Sequence, residues 1–168
     1  FLIEMLRKFN VAPSQIGGNR VGKNGFDAPA ERLTSIIPLL YQSGYLTIKH
    51  YDPETESYTL DIPNTEIRIG LMESLLPGYV YDRAGEWKPI LGDMALLIRK
   101  GKMEEALQYL KTFLASIPQC DNTNYEGHYQ QMLYVIFTLL GYYVEVEVRT
   151  ATGRIDLVIK TSTTIYLM

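Results

Sequence analysis

The sequence is poor in cysteine, in excess positive charge and in long apolar runs. Cys120 is the single cysteine among 168 residues, so no disulfide can form within the chain, and we expect a reducing compartment such as the cytoplasm. The formal net charge of −3 gives no overall basic surface for nucleic acid. No apolar run approaches the ~20 residues that a helix needs to cross a bilayer. Any contact with nucleic acid must therefore be local, and no membrane contact is expected.

The overall composition is typical of a folded globular protein. Hydrophobic residues make up 46% of the chain and charged residues 21%. The length suits one ordinary domain or two small ones. The first residues have neither an initiator methionine nor a signal-peptide pattern. We therefore expect the chain to be cut from a larger protein at both ends.

The last third of the chain, 122–168, predicts one long helix followed by three short strands. Apolar and aromatic side chains recur at helical spacing at Tyr125, Tyr129, Met132, Leu133, Ile136, Phe137 and Leu140. From Val144 the spacing changes to two, because apolar residues alternate with charged ones up to Arg149. A turn at 150–153 then separates this strand from a second one at 154–160, and a third follows 161–162.

Two carboxylates in this segment lie where a buried apolar surface does not require them. Glu126 is in helical phase with Gln130, which directs it along the edge of the apolar stripe toward the sheet. Asp156 interrupts an aliphatic strand, where an unpaired acid is costly to bury. If the chain turns near 161–163, the residue opposite Asp156 falls at about position 168 or one beyond. Glu126 and Asp156 are therefore the candidate site residues.

The order of these residues resembles the core of the PD-(D/E)XK nuclease superfamily. The shared features are a helix-borne glutamate, a strand, the run Gly-Arg-Ile-Asp-Leu-Val-Ile at 153–159, and a third strand of apolar residues. More narrowly, the chain resembles the nuclease-like domain that follows an AAA-type ATPase in many bacterial proteins. The resemblance extends upstream through 26–80, so it covers most of the chain.

The resemblance implies a metal-dependent phosphodiester hydrolase. Glu126 and Asp156 would be its catalytic, Mg²⁺-binding carboxylates, and Gln130 and Arg154 would lie close to them. A Glu-x-Lys motif is implied just beyond Met168, so the chain by itself is expected to be inactive. The implied substrate is nucleic acid, DNA rather than RNA, and the implied intramolecular partner is an upstream ATPase domain. The alternative function is a non-catalytic nuclease-like module for interaction or for regulation of an ATPase.

Glu126 and its helix neighbour Gln130 also have structural interpretations. Glu126 ends a Thr-x-x-Glu pattern that begins at Thr123, which is typical of a capping box at a helix start. Gln130 has the ordinary alternative of a glutamine on a helix surface.

Asp156 and Arg154 have structural interpretations as well. Asp156 could face solvent on an edge strand, although its strand is expected to lie between two others. Arg154 shares the face of Asp156 and could contact phosphate. An ion pair with Glu145 or Glu147 explains Arg154 equally well.

Upstream of this segment, the sequence predicts two further regions. Residues 1–28 are the tail of an upstream ATPase region, with a helix at 2–9, followed by a glycine-rich linker at 17–25. The linker does not match a phosphate-binding loop, because Lys23 is not followed by serine or threonine. Residues 29–80 contain a helix interrupted by Pro38, a hairpin of strands 45–51 and 57–62, and a helix at 66–75 that Pro77 and Gly78 close.

Helix, hairpin and helix in this order resemble a winged-helix domain. The hairpin tip carries Asp52, Glu54 and Glu56, which would repel phosphates and favour a structural or protein-contact role. In 81–168, two amphipathic helices at 87–100 and 103–117 are expected to cover the nuclease-like sheet. We therefore predict an α+β fold: a winged-helix-like unit at 29–80, then a truncated restriction-endonuclease-like α/β core at 81–168 with a short mixed sheet.

Overall fold

The computed structural model describes residues 1–27, 34–80, 87–115, 125–150 and 153–167, and the side chains of all of these except 80, 125–128, 143 and 150. The chain divides into two compact units, Phe1–Ser74 and Leu75–Met168. Each unit holds helices and a three-stranded antiparallel sheet, which confirms the predicted α+β class. The predicted boundaries at 28/29 and 80/81 involve residues outside these ranges and stay predictions.

The described part of the first unit contains three α-helices, three strands and two short 3-10 helices, Pro13–Gln15 and Lys23–Gly25. The α-helices are α1 (Leu2–Lys8), α2 (Ile37–Gln42) and α3 (Thr65–Leu75), and the strands are β1 (Asn19–Gly22), β2 (Thr47–Asp52) and β3 (Ser57–Asp61). The strands pair in the order β1-β3-β2. The predicted first helix, the hairpin and the helix that follows it are therefore confirmed.

Strand β1 corrects the prediction of a linker at 17–25. Asn19–Gly22 pairs antiparallel with β3 along its whole length. A four-residue strand with a glycine at its end has too little alternation to be recognised from sequence. Its stability comes from main-chain hydrogen bonds to a strand that lies almost 40 residues further along the chain.

Helix α2 begins beside Pro38, which agrees with the predicted split of the helix at this proline. The helix begins at Ile37, so Pro38 is in its first turn, where the missing backbone N–H breaks no helical hydrogen bond. The segment 28–33, predicted to be the first part of this helix, lies outside the described residues.

The core of the first unit includes aliphatic side chains from its three α-helices and from β3. Leu6 of α1, Leu40 of α2, Leu60 of β3 and Leu71 of α3 are all at most 1% exposed. Burying a leucine fully contributes about 1.5–3 kcal/mol relative to leaving it exposed. The helical and strand periodicities of the sequence therefore identify the inner faces correctly.

The described part of the second unit contains four helices and three strands. The helices are α4 (Pro77–Val80), α5 (Trp87–Arg99), α6 (Met103–Ala115) and α7 (Tyr125–Leu139), and the strands are β4 (Tyr143–Thr150), β5 (Gly153–Lys160) and β6 (Ile165–Leu167). The preceding helix ends at Leu75, before Pro77, as predicted, and Pro77 begins the further short helix α4. The other elements follow the prediction to within a few residues.

Helices α5 and α6 form the predicted helical pair. They pack against each other and are joined by a short turn, in which Gly101 has a φ of +74° that glycine adopts without steric cost. Met94 and Ile98 of α5, and Ala106 and Leu110 of α6, are buried at helical spacing. The amphipathic pattern therefore predicts both helices and their buried faces.

Helix α7 is the most buried element of the second unit. Met132, Ile136 and Phe137 of the predicted stripe are at most 2% exposed. Val135 and Thr138 are buried as well, so the helix is enclosed on more than one side. It packs against β4 and β5.

The sheet of the second unit is antiparallel, which corrects the predicted mixed sheet. Its order is β4-β5-β6, and every described pairing is antiparallel. Short turns join successive strands, and such connections can only produce antiparallel neighbours. Strand β5 is therefore central, as predicted.

The winged-helix assignment and the absence of a membrane-spanning helix were the remaining expectations about the fold. The helices and the hairpin of the first unit do not by themselves test the winged-helix assignment, which stays a prediction. Among the described helices, none has the length and apolar character required to cross a membrane.

Candidate functional site

The two faces of the second sheet differ in character. On β5, Leu157 and Ile159 are buried on one face. Arg154 and Asp156 alternate with them and emerge on the opposite face, as successive residues of a strand must. The candidate aspartate therefore lies on the polar face of the sheet.

Asp156 is exposed to solvent although its strand is central. Its side chain is 52% exposed. Solvent exposure of Asp156 was expected only on an edge strand, and the structure shows it on the central strand. Because the carboxylate keeps its contact with water, the cost of burying an unpaired charge does not arise.

Arg154 joins two carboxylates on this face. Its Nε donates a hydrogen bond to Asp156 Oδ1 at 3.1 Å, and its Nη1 lies 3.9 Å from Glu147 Oε1. The sequence analysis named Glu147 as one possible partner of Arg154, and this ion pair is confirmed. Its contact with Asp156, two residues along the same strand, was not predicted.

Glu147 occupies an unusual backbone conformation. The β4–β5 register runs without a shift, and Glu147 takes the position beside Asp156 between the pairs Val146↔Leu157 and Val148↔Ile155. Its φ is +54°, in the left-handed region that non-glycine residues rarely adopt. Sequence reasoning missed this feature, since no residue pattern indicates a left-handed glutamate inside a strand.

A second ion pair lies further along the same two strands. Lys160 Nζ donates a hydrogen bond to Glu145 Oε1 at 3.2 Å. Cross-strand pairs of opposite charge on one face stabilise a sheet modestly. This face thus carries charges of both signs, although Val158, which lies on it between Asp156 and Lys160, is buried.

The two candidate residues on α7 lie in its first turns. Glu126 is the second residue of the helix, but its side chain is outside the described set. Thr123, the other half of the predicted capping box, also lies outside the described residues. Gln130 is half-buried, one turn further along. The structure thus brings Asp156 and Arg154 together, whereas the convergence of Glu126 and Asp156 stays a prediction.

The register between β5 and β6 agrees with the position predicted for the partner of Asp156. Lys160 pairs with Ile165, and Val158 pairs with Leu167. Continuing this pairing by two residues sets Asp156 opposite the second position after Leu167, which is one beyond Met168.

The donor chemistry of this region fits a hard cation. Mg²⁺ takes oxygen ligands, usually one or two carboxylates and several waters. Asp156 and Glu126 are both carboxylates, and Asp156 is accessible to solvent. Among the side chains that the structure describes, no group of three or more histidine, cysteine or acidic residues could hold a metal ion. Any such site therefore depends on Glu126 or on residues outside the described ranges.

Arg20 of β1 binds side chains at the hairpin tip of the first unit. Arg20 forms an ion pair with Asp52 and donates hydrogen bonds to Thr55 Oγ1 and Ser57 Oγ, both at 2.7 Å. A hydrogen bond from the Thr55 side chain lowers the pKa of Asp52, and the charge of Arg20 acts in the same direction. The guanidinium is thus engaged within the hairpin, so the tip offers little positive charge to a phosphate.

A cavity of about 350 Å³ lies between α6 and α7, away from the polar face of the sheet. Its lining is mainly apolar and includes Leu107, Leu110, Leu114, Tyr129 and Leu133. Lys111 is its one charged lining residue among the described side chains. The cavity lacks the carboxylates that metal-dependent hydrolysis requires.

Comparison with known proteins supports the interpretation of the second unit. A family model for the PD-(D/E)XK nuclease superfamily matches residues 124–168. The matched segment begins just before α7 and includes both Glu126 and Asp156. The chain is therefore similar to that superfamily over α7 and the second sheet.

A similar protein is known from Azotobacter chroococcum mcd 1, described as "Uncharacterized protein in vnfD 5'region". It is 29% identical over 177 aligned positions, which cover 99% of this chain. The chain spans 34% of the length of that relative. No solved structure gives a significant match to the chain.

Proposed function

We propose that the second unit is part of a Mg²⁺-dependent nuclease of the PD-(D/E)XK type. The observation that carries the proposal is Asp156, an exposed carboxylate on the central strand of a segment that the nuclease family model matches. Asp156 and Glu126 would hold the cation. When bound, a divalent cation polarises the phosphodiester and lowers the pKa of the attacking water.

The lengths of the elements support the pairing of Glu126 with Asp156. A three-residue turn joins α7 to β4, so the strand runs back along the helix. Glu126 lies ~20 Å from that turn at ~1.5 Å per helical residue. Asp156, beside Glu147, lies ~13 Å from it at ~3.3 Å per strand residue. The two acids therefore differ by only about 7 Å in position along the helix axis.

The remaining parts of the proposal concern the longer protein. A Glu-x-Lys motif after Met168 would supply another carboxylate and a lysine that stabilises developing negative charge. Without that motif, the present chain would not cleave. We further propose that the substrate is DNA rather than RNA, and that an ATPase domain precedes this chain and contacts it.

Cation binding by the full-length gene product tests the proposal. Titration calorimetry with Mn²⁺ should show binding that Asp156→Asn weakens by at least about tenfold, since even the loss of an outer-shell partner of a metal ligand costs about 10–100-fold. Cleavage of DNA should be lost as well. Glu126→Gln should weaken binding at an unchanged melting temperature, whereas a pure capping role would leave both unchanged, because glutamine also completes a capping box. Unchanged affinity in Asp156→Asn would refute the proposal.

A non-catalytic nuclease-like module is the second candidate. Two observations favour it: Asp156 leaves the sheet on the face opposite Leu157 and Ile159, and its carboxylate is already paired with Arg154. In that case the full-length protein would bind no Mn²⁺ at this face. The residues at the end of the third strand would then be apolar in place of Glu-x-Lys.

A further inference from the structure

The arrangement of Arg154 between Asp156 and Glu147 points to a role that goes beyond the proposed ligands. We propose that Arg154 is a positioning residue that occupies the Asp156 carboxylate when no cation is bound, and that Glu147 takes over its guanidinium when Asp156 binds the cation. This inference rests on the proposed function, because it requires Asp156 to be a cation ligand.

Arg154 and a bound cation would compete for the carboxylate of Asp156. Arg154 Nε lies 3.1 Å from Asp156 Oδ1, so the guanidinium lies where a hard cation would approach that carboxylate. Two positive charges at such a distance repel each other. Both side chains are about half exposed, and exposed ion pairs hold only weakly. The pair can therefore open at small cost.

Glu147 supplies a carboxylate that can receive the guanidinium of Arg154. Glu147 Oε1 is 3.9 Å from Arg154 Nη1, slightly too far for a hydrogen bond but close enough for a small side-chain movement to make one. The Glu147 side chain is 58% exposed and free of steric enclosure. Arg154 carries five N–H donors in a planar fork, which can turn from one carboxylate to the other without leaving the face.

The formal charges of the three residues predict how substitutions change the affinity for a cation. Glu147, Asp156 and Arg154 together carry a formal charge of −1, which attracts a cation and repels a phosphate. Removing Glu147 would take away one of the carboxylates that can hold Arg154 away from Asp156, so the guanidinium would oppose the cation more strongly. Removing Arg154 would free Asp156 for the cation. The two substitutions should thus act in opposite directions.

A double-mutant cycle on the full-length gene product tests this role, with Mn²⁺ affinity by titration calorimetry at low salt as the readout. Arg154→Gln should tighten binding by up to about thirtyfold, the factor for one unit charge about 4 Å from a divalent cation in water. Glu147→Gln should weaken binding by about the same factor. In the Arg154→Gln background, Glu147→Gln should change the affinity by less than about twofold.

Several controls separate this role from a structural one. Arg154→Lys keeps the charge but lacks the planar fork, so it should not tighten Mn²⁺ binding as Arg154→Gln does. Glu145→Gln and Lys160→Gln break a similar ion pair on the same strands and should leave the affinity unchanged. If Glu147→Gln alters folding through its left-handed backbone, Glu147→Asn provides a substitute, because asparagine tolerates that conformation.

The outcomes distinguish failure of this inference from failure of the proposed function. If the wild type binds no Mn²⁺, or if Asp156→Asn binds it equally well, the proposed function is overturned and this inference with it. If Asp156→Asn loses binding but Arg154→Gln does not tighten it, only the inference is overturned. An equal effect of Glu147→Gln in both backgrounds would also overturn it, since Glu147 would then act on the cation directly.

Discussion

Glu56 and Glu147 adopt a backbone conformation that glutamate rarely takes and that their sequence does not indicate. Both have positive φ values, +48° and +54°, in a region where glycine or asparagine is normally found. Glu56 ends the hairpin loop between β2 and β3, and Glu147 lies within β4. An L-residue in this conformation costs about 1–2 kcal/mol. At Glu147 this unfavourable conformation coincides with the candidate site, whereas Glu56 offers a separate measure of its cost.

At residue scale, we expect Glu56→Gly to stabilise the protein. Glycine removes the steric cost of the left-handed backbone but adds ~0.5–1 kcal/mol of chain entropy, so the net gain should be ~0.5–1 kcal/mol. Thermal unfolding followed by circular dichroism would measure it. Glu54→Gly is the matched control, because Glu54 lies in the same loop and has no positive φ. It should be neutral or destabilising; a gain equal to that of Glu56→Gly would contradict the backbone explanation.

At the scale of elements, two helices contain glycines that nothing in the described structure requires. Gly70 of α3 and Gly92 of α5 are exposed, and a β-carbon at either position would meet no atom within 4 Å. Neither has a positive φ. Each therefore weakens its helix without a compensating contact.

Replacing these glycines by alanine should stabilise the protein. Gly70→Ala and Gly92→Ala should each add about 0.8–1 kcal/mol, the difference in helix propensity between the two residues. The gain would appear as a higher midpoint in chemical denaturation, while the dependence of the unfolding free energy on denaturant concentration stays unchanged. Gly101→Ala is the control: with its φ of +74°, alanine would be strained and should destabilise. A loss of stability in Gly92→Ala would show that an unrecognised contact needs this glycine.

The elements themselves were predictable to different degrees. Helices α5, α6 and α7 follow from strong 3.6-residue periodicity, and β4 and β5 follow from alternation. Strand β1 was missed because its signal lies in the partner β3, not in its own four residues. Pro38 was predicted to kink or split a helix, and only the fold shows that α2 begins beside it.

At the scale of the whole molecule, the chain comprises two units with a sheet and a buried core each. The second unit, Leu75–Met168, includes the entire segment that the nuclease family model matches. Because its helices and sheet bury their own apolar faces, we expect a fragment of 75–168 to fold by itself.

Expression of this fragment provides the test. It should show cooperative thermal unfolding and the far-ultraviolet circular dichroism of a mixed helix and sheet protein. A fragment of 77–150, which lacks β5 and β6, is the control and should not unfold cooperatively, since it loses the buried Leu157 and Ile159. A non-cooperative transition in 75–168 would mean that this unit depends on the rest of the chain.

The sequence alone determined the type and order of most elements, the central position of β5 and the identity of the candidate acids. These follow from local periodicity and from isolated charges in apolar patterns, which are properties of short segments. Only the tertiary structure decided that Asp156 faces solvent, that Arg154 bridges it to Glu147, and that Asn19–Gly22 is a strand. The strand at Asn19–Gly22 depends on a partner far along the chain, and the contacts of Arg154 depend on how β4 and β5 pair, which no single segment encodes.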